Sequence, residues 1–171
     1  MGAATETVMV TVTGSNLRRG QLKDLGILAH LEEISFGEDR FNKAQIRHLL
    51  TRANADTLVL EFKGRVQGAA VMLWRKKSRL GRLYSIVIDP SFRGQGLGDV
   101  LLKACESAAL KKGCSQISLE VRSDNKAAIG LYSKFGYRII EELPGYYAKG
   151  KNGVRMVKSL ESLPNNSTTS T

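Results

Sequence analysis

The chain has 171 residues, with 26 Lys and Arg against 16 Asp and Glu for a formal net charge of +10, and 42% hydrophobic residues. That length suits one domain with a proper core, no apolar run is long enough to span a bilayer, and residues 1–10 lack the charge and apolar core of a signal peptide. Cys105 and Cys114 are too few for a disulfide framework or a zinc site, and His30 and His48 stand alone, so no metal is expected and a reducing cytoplasm is the expected address.

In chain order, Val8, Val10 and Val12 alternate as a first strand, and Leu22, Leu25, Leu28, Leu31 and Ile34 fall at helical spacing. A loop is expected over Phe36 to Asp39 and a second short helix over Lys43 to Arg52. Thr57 to Lys63, a turn at Gly64, and Val66 to Arg75 read as a hairpin, with a third strand running through Tyr84 to Ile88. Asp89-Pro90 closes that strand, because proline cannot donate to a ladder.

Arg93, Gly94, Gln95, Gly96, Leu97, Gly98 and Asp99 follow, leading into a helix with apolar residues at 97, 100, 101, 104, 105 and 108 and a stop at Gly113. A strand, a glycine turn and a helix start together present unpaired N–H groups to an anion, with Arg93 at the mouth, so a phosphorylated ligand is expected here. The Lys-Ser/Thr ending of a P-loop is absent, since Asp99 and Val100 follow Gly98. A dinucleotide fingerprint fails at its third glycine, where Asp99 stands, although Glu120 lies near the distance of a ribose-binding acid.

Ile117, Leu119 and Val121 then alternate with Ser118, Glu120 and Arg122 as a strand. Ser123-Asp124-Asn125 offers helix caps, and Ala128, Leu131, Tyr132 and Phe135 mark one helical face closed by Gly136. Tyr137 to Leu143 reads as a strand ending at Pro144, and residues 161–171 form a polar tail expected to be disordered.

Arg93, Gly96 and Gly98 after a strand, followed by Leu119-Glu-Val-Arg-Ser-Asp-Asn and Gly-Leu-Tyr-Ser-Lys-Phe-Gly-Tyr137, resemble the GCN5-related N-acetyltransferase (GNAT) superfamily. The likeness is dense from about residue 84 to 147, and within the superfamily it is greatest to bacterial ribosomal-protein-alanine N-acetyltransferases and other N-terminal acetyltransferases. It implies an α/β (mixed α+β) three-layer fold with helices on both faces of a mixed sheet that splays at its middle strands. One domain over residues 1–160 is expected, in the order β-α-α-β-β-β-α-β-α-β-β.

The resemblance also implies acetyl-CoA as co-substrate and a primary amine as acceptor. Ile86, Val87 and Ile88 would hold the pantetheine arm, residues 93–99 the pyrophosphate, and Asn125 would touch the cofactor. Asp99 departs from the basic residue common at its place. Glu120 matches the general base and Tyr132 the general acid, while the residue-level alternatives are a salt bridge from Glu120 to Arg122 or another cation and a core packing role for Tyr132. Phe36, Tyr146 and Tyr147 match positions lining an acceptor groove, and the two tyrosines favour a peptide α-amine over a small amine. Lys149, Lys151 and Arg155 stand where those relatives carry acids, which would give a basic rim.

Two basic groups, Arg75, Lys76, Lys77, Arg79 and Arg82, and Lys149, Lys151, Arg155 and Lys158, read either as solvated faces or as attraction to coenzyme A phosphates, acidic substrates or ribosomal RNA. No aromatic series accompanies them, so nucleic acid is not expected as the primary partner. A monomer or homodimer without membrane attachment is expected. The rival from another class is a non-catalytic acyl-CoA-binding or ribosome-associated module.

Overall fold

The computed structural model describes residues 12–160. Its elements are β1 (Ser15–Arg19), α1 (Leu25–Phe36), α2 (Lys43–Thr51), β2 (Ala55–Phe62), β3 (Arg65–Leu73), β4 (Leu80–Ile88), α3 (Leu97–Lys111), β5 (Gln116–Arg122), α4 (Lys126–Lys134), β6 (Arg138–Leu143) and β7 (Gly153–Ser159). The expected order of strands and helices holds. The strand assigned to Val8, Val10 and Val12 falls outside the described residues except for Val12, whose carbonyl accepts from Ser15 N and Oγ in a turn. The first described strand is Ser15–Arg19, whose Ser-Asn-Leu-Arg-Arg sequence carries too little apolar alternation to announce it. The tail at 161–171 also lies outside the described residues.

Local chemistry accounts for the helix starts. Asn42 Oδ1 accepts from Gln45 N while Asn42 N donates to Gln45 Oε1, each at 2.8 Å, a reciprocal cap that opens α2. Asn125 Oδ1 accepts from Ala128 N at 3.1 Å and opens α4.

The strands form one seven-stranded sheet in the order β1-β2-β3-β4-β5-β7-β6. All neighbours are antiparallel except β4 and β5, which run parallel with α3 as their crossover. One core, including Leu60, Met72, Leu83, Leu101, Ile117, Leu119 and Met156, lies on the α3 and α4 face. A second, including Leu28, Leu31, Ile46, Val59, Ala69 and Val87, lies under α1 and α2. The result is the expected three-layer arrangement, a sheet covered on both faces.

The buried side of α3 is wider than the spacing predicts. It includes Leu102, Glu106 and Ala109, whereas Ala104 and Ala108 are half-buried. Glu106 tolerates burial because Lys158 Nζ reaches its two oxygens at 2.7 and 3.0 Å from β7.

Candidate active site

The middle of the sheet opens. β4 and β5 pair from Leu80↔Gln116 to Leu83↔Leu119, yet β4 continues to Ile88 and β5 to Arg122. Beyond Leu83 the backbone edge of β4 that faces β5 has no strand partner among the described residues, while its other edge stays paired with β3 through Gly68↔Ile88. An unpaired edge inside a sheet is a template for an extended ligand with amide groups. Ile86, Val87 and Ile88 lie on it. Val87 is buried in the α1–α2 core, so its backbone alone faces the opening.

A bulge adjusts the faces at the point of opening. Val71 pairs with Ser85 and Met72 with Leu83, leaving Tyr84 as the extra residue. Leu83 faces the α3 core, and the extra residue turns both Tyr84 and Ser85 toward α1 and α2. Tyr84 packs against Phe41 at a tilt of 42° with ring centroids 4.6 Å apart, and the Arg82 guanidinium lies 5.0 Å from the centre of the Tyr84 ring. Ser85 Oγ donates to Glu32 Oε1 at 2.8 Å, and Phe41 N donates to Glu32 Oε2 at 3.3 Å. Burial pushes the Glu32 carboxyl above its ordinary pKa against the pull of these two bonds.

β4 ends at Ile88, the Oδ1 of the following Asp89 accepts from Ser91 N at 2.9 Å, and the glycine turn follows. Gly94 and Gly96 have φ of 78° and 83°, a region that L side chains enter at a cost. Nothing would meet a side chain at Gly94, so open space lies over the turn. Gly98 faces α4, where an added Cβ would come within 3.2 Å of Leu131 Cδ2. The first amides of α3 have no intrahelical acceptor and point to this mouth. Arg93 is exposed and its Nε donates to Ile88 O at 3.3 Å, which leaves its outer nitrogens available to an anion. Gln95 is exposed on the same turn and Leu97 anchors the helix start in the core. Asp99 pairs with Lys134 Nζ at 2.7 Å, so its charge is neutralised from α4 and does not oppose a phosphate. This combination fits a coenzyme A pyrophosphate and pantetheine arm.

Glu120 follows the last β4–β5 pair on the face opposite Leu119 and Val121. Its Oε2 accepts from Arg82 Nε at 3.1 Å and lies 3.0 Å from Arg82 Nη2 in the same ion pair, and its Oε1 accepts from Arg155 Nε at 3.3 Å. Arg155 is its directly opposed residue on β7, and Arg155 in turn pairs with Glu141 of β6. Arg82, Glu120, Arg155 and Glu141 therefore form an alternating charge row across four strands. The partners of Glu120 are these two arginines; Arg122 is engaged by Asp124 at 2.7 Å and Asp39 at 3.8 Å. The expected basic rim is largely neutralised too, since Lys149 faces Glu38 at 3.6 Å and Arg155 is doubly paired.

Tyr132 is 5% exposed and its ring lies 5.8 Å from that of Tyr137. Burial, and then the neighbouring Cys105 and Tyr147, push its phenol well above the ordinary value, so it remains protonated and able to donate at neutral pH. Tyr147 and Tyr146 meet edge to face at 5.0 Å, but they divide their surroundings: Tyr146 is exposed, whereas Tyr147 is half-buried. Burial, with Tyr146, Glu120 and Asp39 adding to it, raises the Tyr147 phenol as well. Asn125 spends its oxygen on the α4 cap and keeps its amide hydrogens for another acceptor.

Two residues that sequence reasoning missed hold this wall together. Gly153 lies under Tyr147, where a Cβ would come within 2.6 Å of Tyr147 Cε2. Asp39 Oδ1 accepts from Ala148 N at 2.8 Å, tying the α1–α2 connection to the β6–β7 loop over the opening. Phe36 packs against the α1–α2 core, and Phe41 is the aromatic ring of that connection that meets β4. Only a pairing map could have signalled Gly153 or Asp39, because their partners are remote in sequence. Among the described residues no group of three or more His, Cys, Asp or Glu is placed to hold a metal ion, and no helix is long and apolar enough to cross a membrane.

A model of the acetyltransferase (GNAT) family matches residues 26–137. A Pectobacterium atrosepticum protein named an acetyltransferase is 33% identical over 49% of this chain, a match that spans 58% of that protein. A Bacillus subtilis protein described as a candidate ribosomal protein bS18-alanine N-acetyltransferase is 32% identical over 72% of this chain and 81% of its own length. The crystal structure of Ard1 from Thermoplasma volcanium superposes with a TM-score of 0.79 at 28% identity, covering 88% of this chain and all of that one.

Proposed function

Because the chain belongs to the acetyltransferase (GNAT) family, we propose that it moves the acetyl group of acetyl-CoA directly to the N-terminal α-amine of a protein or peptide. The observation that carries the reading is the opening between β4 and β5, roofed by the Asp39–Ala148 tie and the Tyr147 ring seated on Gly153. One side of that opening suits a pantetheine arm and the other an extended peptide end.

The backbone of Ile86 to Ile88 would pair with the pantetheine amides, and residues 93–99 would receive the pyrophosphate. A main-chain N–H at the bulge would polarise the thioester carbonyl. Glu120 would take the amine proton through a water. A carboxylate offers about four acceptor sites, and the single bond to Oε1 leaves room there for that water. The buried Tyr132 phenol, protonated at neutral pH, would donate to the departing thiolate. The acceptor amine attacks the thioester carbon, the carbon–sulfur bond breaks, and free coenzyme A leaves as a thiol. An α-amine titrates near about 8 and a lysine near about 10.4, so at pH 7 the α-amine is neutral on the order of a few hundred-fold more often. A cytoplasmic setting agrees with the free thiols of Cys105 and Cys114.

The test is release of free coenzyme A from acetyl-CoA with short peptides of varied first residue beside a panel of small amines. Turnover with peptides, reduced about 10²-fold or more in Glu120→Gln, is the expected result. Turnover with small amines alone would move the acceptor to that class. Binding of acetyl-CoA without turnover on any amine would leave a binding module.

A further inference from the structure

The glycine turn sits at the C-terminal end of β4 and the N-terminal end of α3, and the opposite ends of the same two elements carry a concentration of cations. Arg75, Lys76, Lys77 and Arg79 project from the β3–β4 hairpin, and Lys111 and Lys112 close α3; all are exposed. The segments are joined by Ser115 N donating to Arg79 O at 2.7 Å and by Lys112 Nζ lying 5.9 Å from the centre of the Trp74 ring. Exposed Arg52 ends α2 beside them, because Asn54 is bonded to Trp74 through both backbone and side chain, at 2.9 and 3.1 Å.

None of these cations has a salt-bridge partner among the described residues, whereas Arg82, Lys149, Arg155 and Lys158 all do. The acid bonded into this end, Asp56, is already engaged by Arg19 and by Trp74 Nε1. A strand the length of β4 spans roughly 26 Å, so this charge stands away from the cofactor mouth and plays no part in holding coenzyme A phosphates.

We propose that this end of the molecule is a docking surface for the phosphate backbone of RNA. Unpaired, exposed cations keep condensed counterions on a polyphosphate free to leave, and phosphate contacts of this kind need no base-reading aromatic. A bilayer is disfavoured because the large apolar side chains exposed at this end, Leu80 and Leu110, are two residues among cations and make no apolar face to insert. An acidic protein is disfavoured because the Trp74 indole, the natural anchor for such a partner, is turned to Asp56. The choice of RNA over DNA rests on the proposed function, whose Bacillus subtilis relative is named for a ribosomal protein.

The test uses the full chain and a labelled RNA stem-loop, with a DNA duplex, phosphatidylserine vesicles and poly-glutamate alongside. With about five phosphate contacts, RNA affinity falls about 100-fold between about 50 and 200 mM potassium chloride. Joint substitution Arg75→Glu, Lys76→Glu and Lys111→Glu weakens RNA binding at least about 30-fold and flattens the salt dependence, while coenzyme A release on peptides is unchanged. The corresponding Gln substitutions, which carry no repulsion, give an intermediate loss and stand in if the reversed variant fails to fold. No RNA binding at the lower salt, equal binding by the Gln variant, tighter binding of the DNA duplex than of RNA, or capture by vesicles or poly-glutamate in preference to RNA would each overturn the proposal. Loss of peptide acetylation alone would instead strike at the proposed activity, because binding is read without turnover.

Discussion

Tyr147 depends on what Gly153 lacks. A methyl group at that position would meet the ring at 2.6 Å and the carbonyl of Val121 at 3.2 Å, so the ring must leave its seat. Gly153→Ala is expected to raise KM for the peptide about 10-fold with little change in KM for acetyl-CoA, as read from steady-state kinetics with each substrate varied. Tyr132 separates differently. In the proposed mechanism its hydroxyl would act on the leaving thiolate while its ring packs in the core, so Tyr132→Phe keeps the packing and is expected to lower kcat about 10²–10³-fold at nearly constant KM for acetyl-CoA. A fall in thermal stability with unchanged kcat would make the residue structural. Cys105, near Tyr132 and fully enclosed, has its thiol pushed up to about 12 by burial and then by Glu106. It should resist thiol reagents until the chain unfolds, which labelling with and without denaturant checks.

Between elements, Glu32 joins α1 to the bulge in β4 and to the start of the segment leading into α2. Its carboxyl has a raised pKa in the folded state, so folding favours the protonated form. The stability this provides is fully present below the ordinary value of 4.5 and is lost as pH rises through the folded value. Ser85→Ala removes one hydrogen-bond donor from a carboxylate that is buried, at a cost of about 1–3 kcal/mol at neutral pH. The deficit should shrink when denaturant melts are repeated below pH 4.5. Asp24 has the opposite sign. Two bonds from Arg18 at 2.8 Å and one from Gln21 N hold its carboxyl low, so its contribution is present above the ordinary value of 3.8 and disappears as pH falls through the folded value.

The elements themselves were largely legible. The stripe on α3, the alternation of β5 and the Asn125 cap are local patterns, and the structure keeps them. The opening between β4 and β5 was legible only through resemblance, because it depends on where a pairing stops and no property of Leu83 or Leu119 alone records that. The same holds for the charge row, in which Arg82, Glu120, Arg155 and Glu141 meet through register across four strands. β6 illustrates a further limit: its Ile139 and Ile140 are 52% and 50% exposed on an edge strand, with Ile140 left over in a bulge, so apolar content there reports no core.

Across the whole molecule the net charge of +10 is spread over paired and unpaired cations. Arg82 and Arg155 are paired beside Glu120, whereas Arg75, Lys76, Lys77, Arg79, Lys111 and Lys112 form a cluster at the far end without salt-bridge partners among the described residues. The opening in the sheet removes ladder bonds that a closed sheet would have, so a ligand that fills it should stabilise the fold. Saturation with acetyl-CoA at about 100 times its Kd is expected to add about 2.7 kcal/mol, seen as a Tm rise of roughly 5–10 °C, and coenzyme A should give a comparable shift.

The most direct measurement is the position of the transferred acetyl group. A peptide carrying both a free α-amine and an internal lysine, incubated with the chain and acetyl-CoA, is fragmented in a mass spectrometer. Acetyl on the α-amine, absent when the peptide's N-terminus is blocked, is the predicted result; acetyl on the lysine, or no acetylated peptide beside active turnover of a small amine, would contradict it.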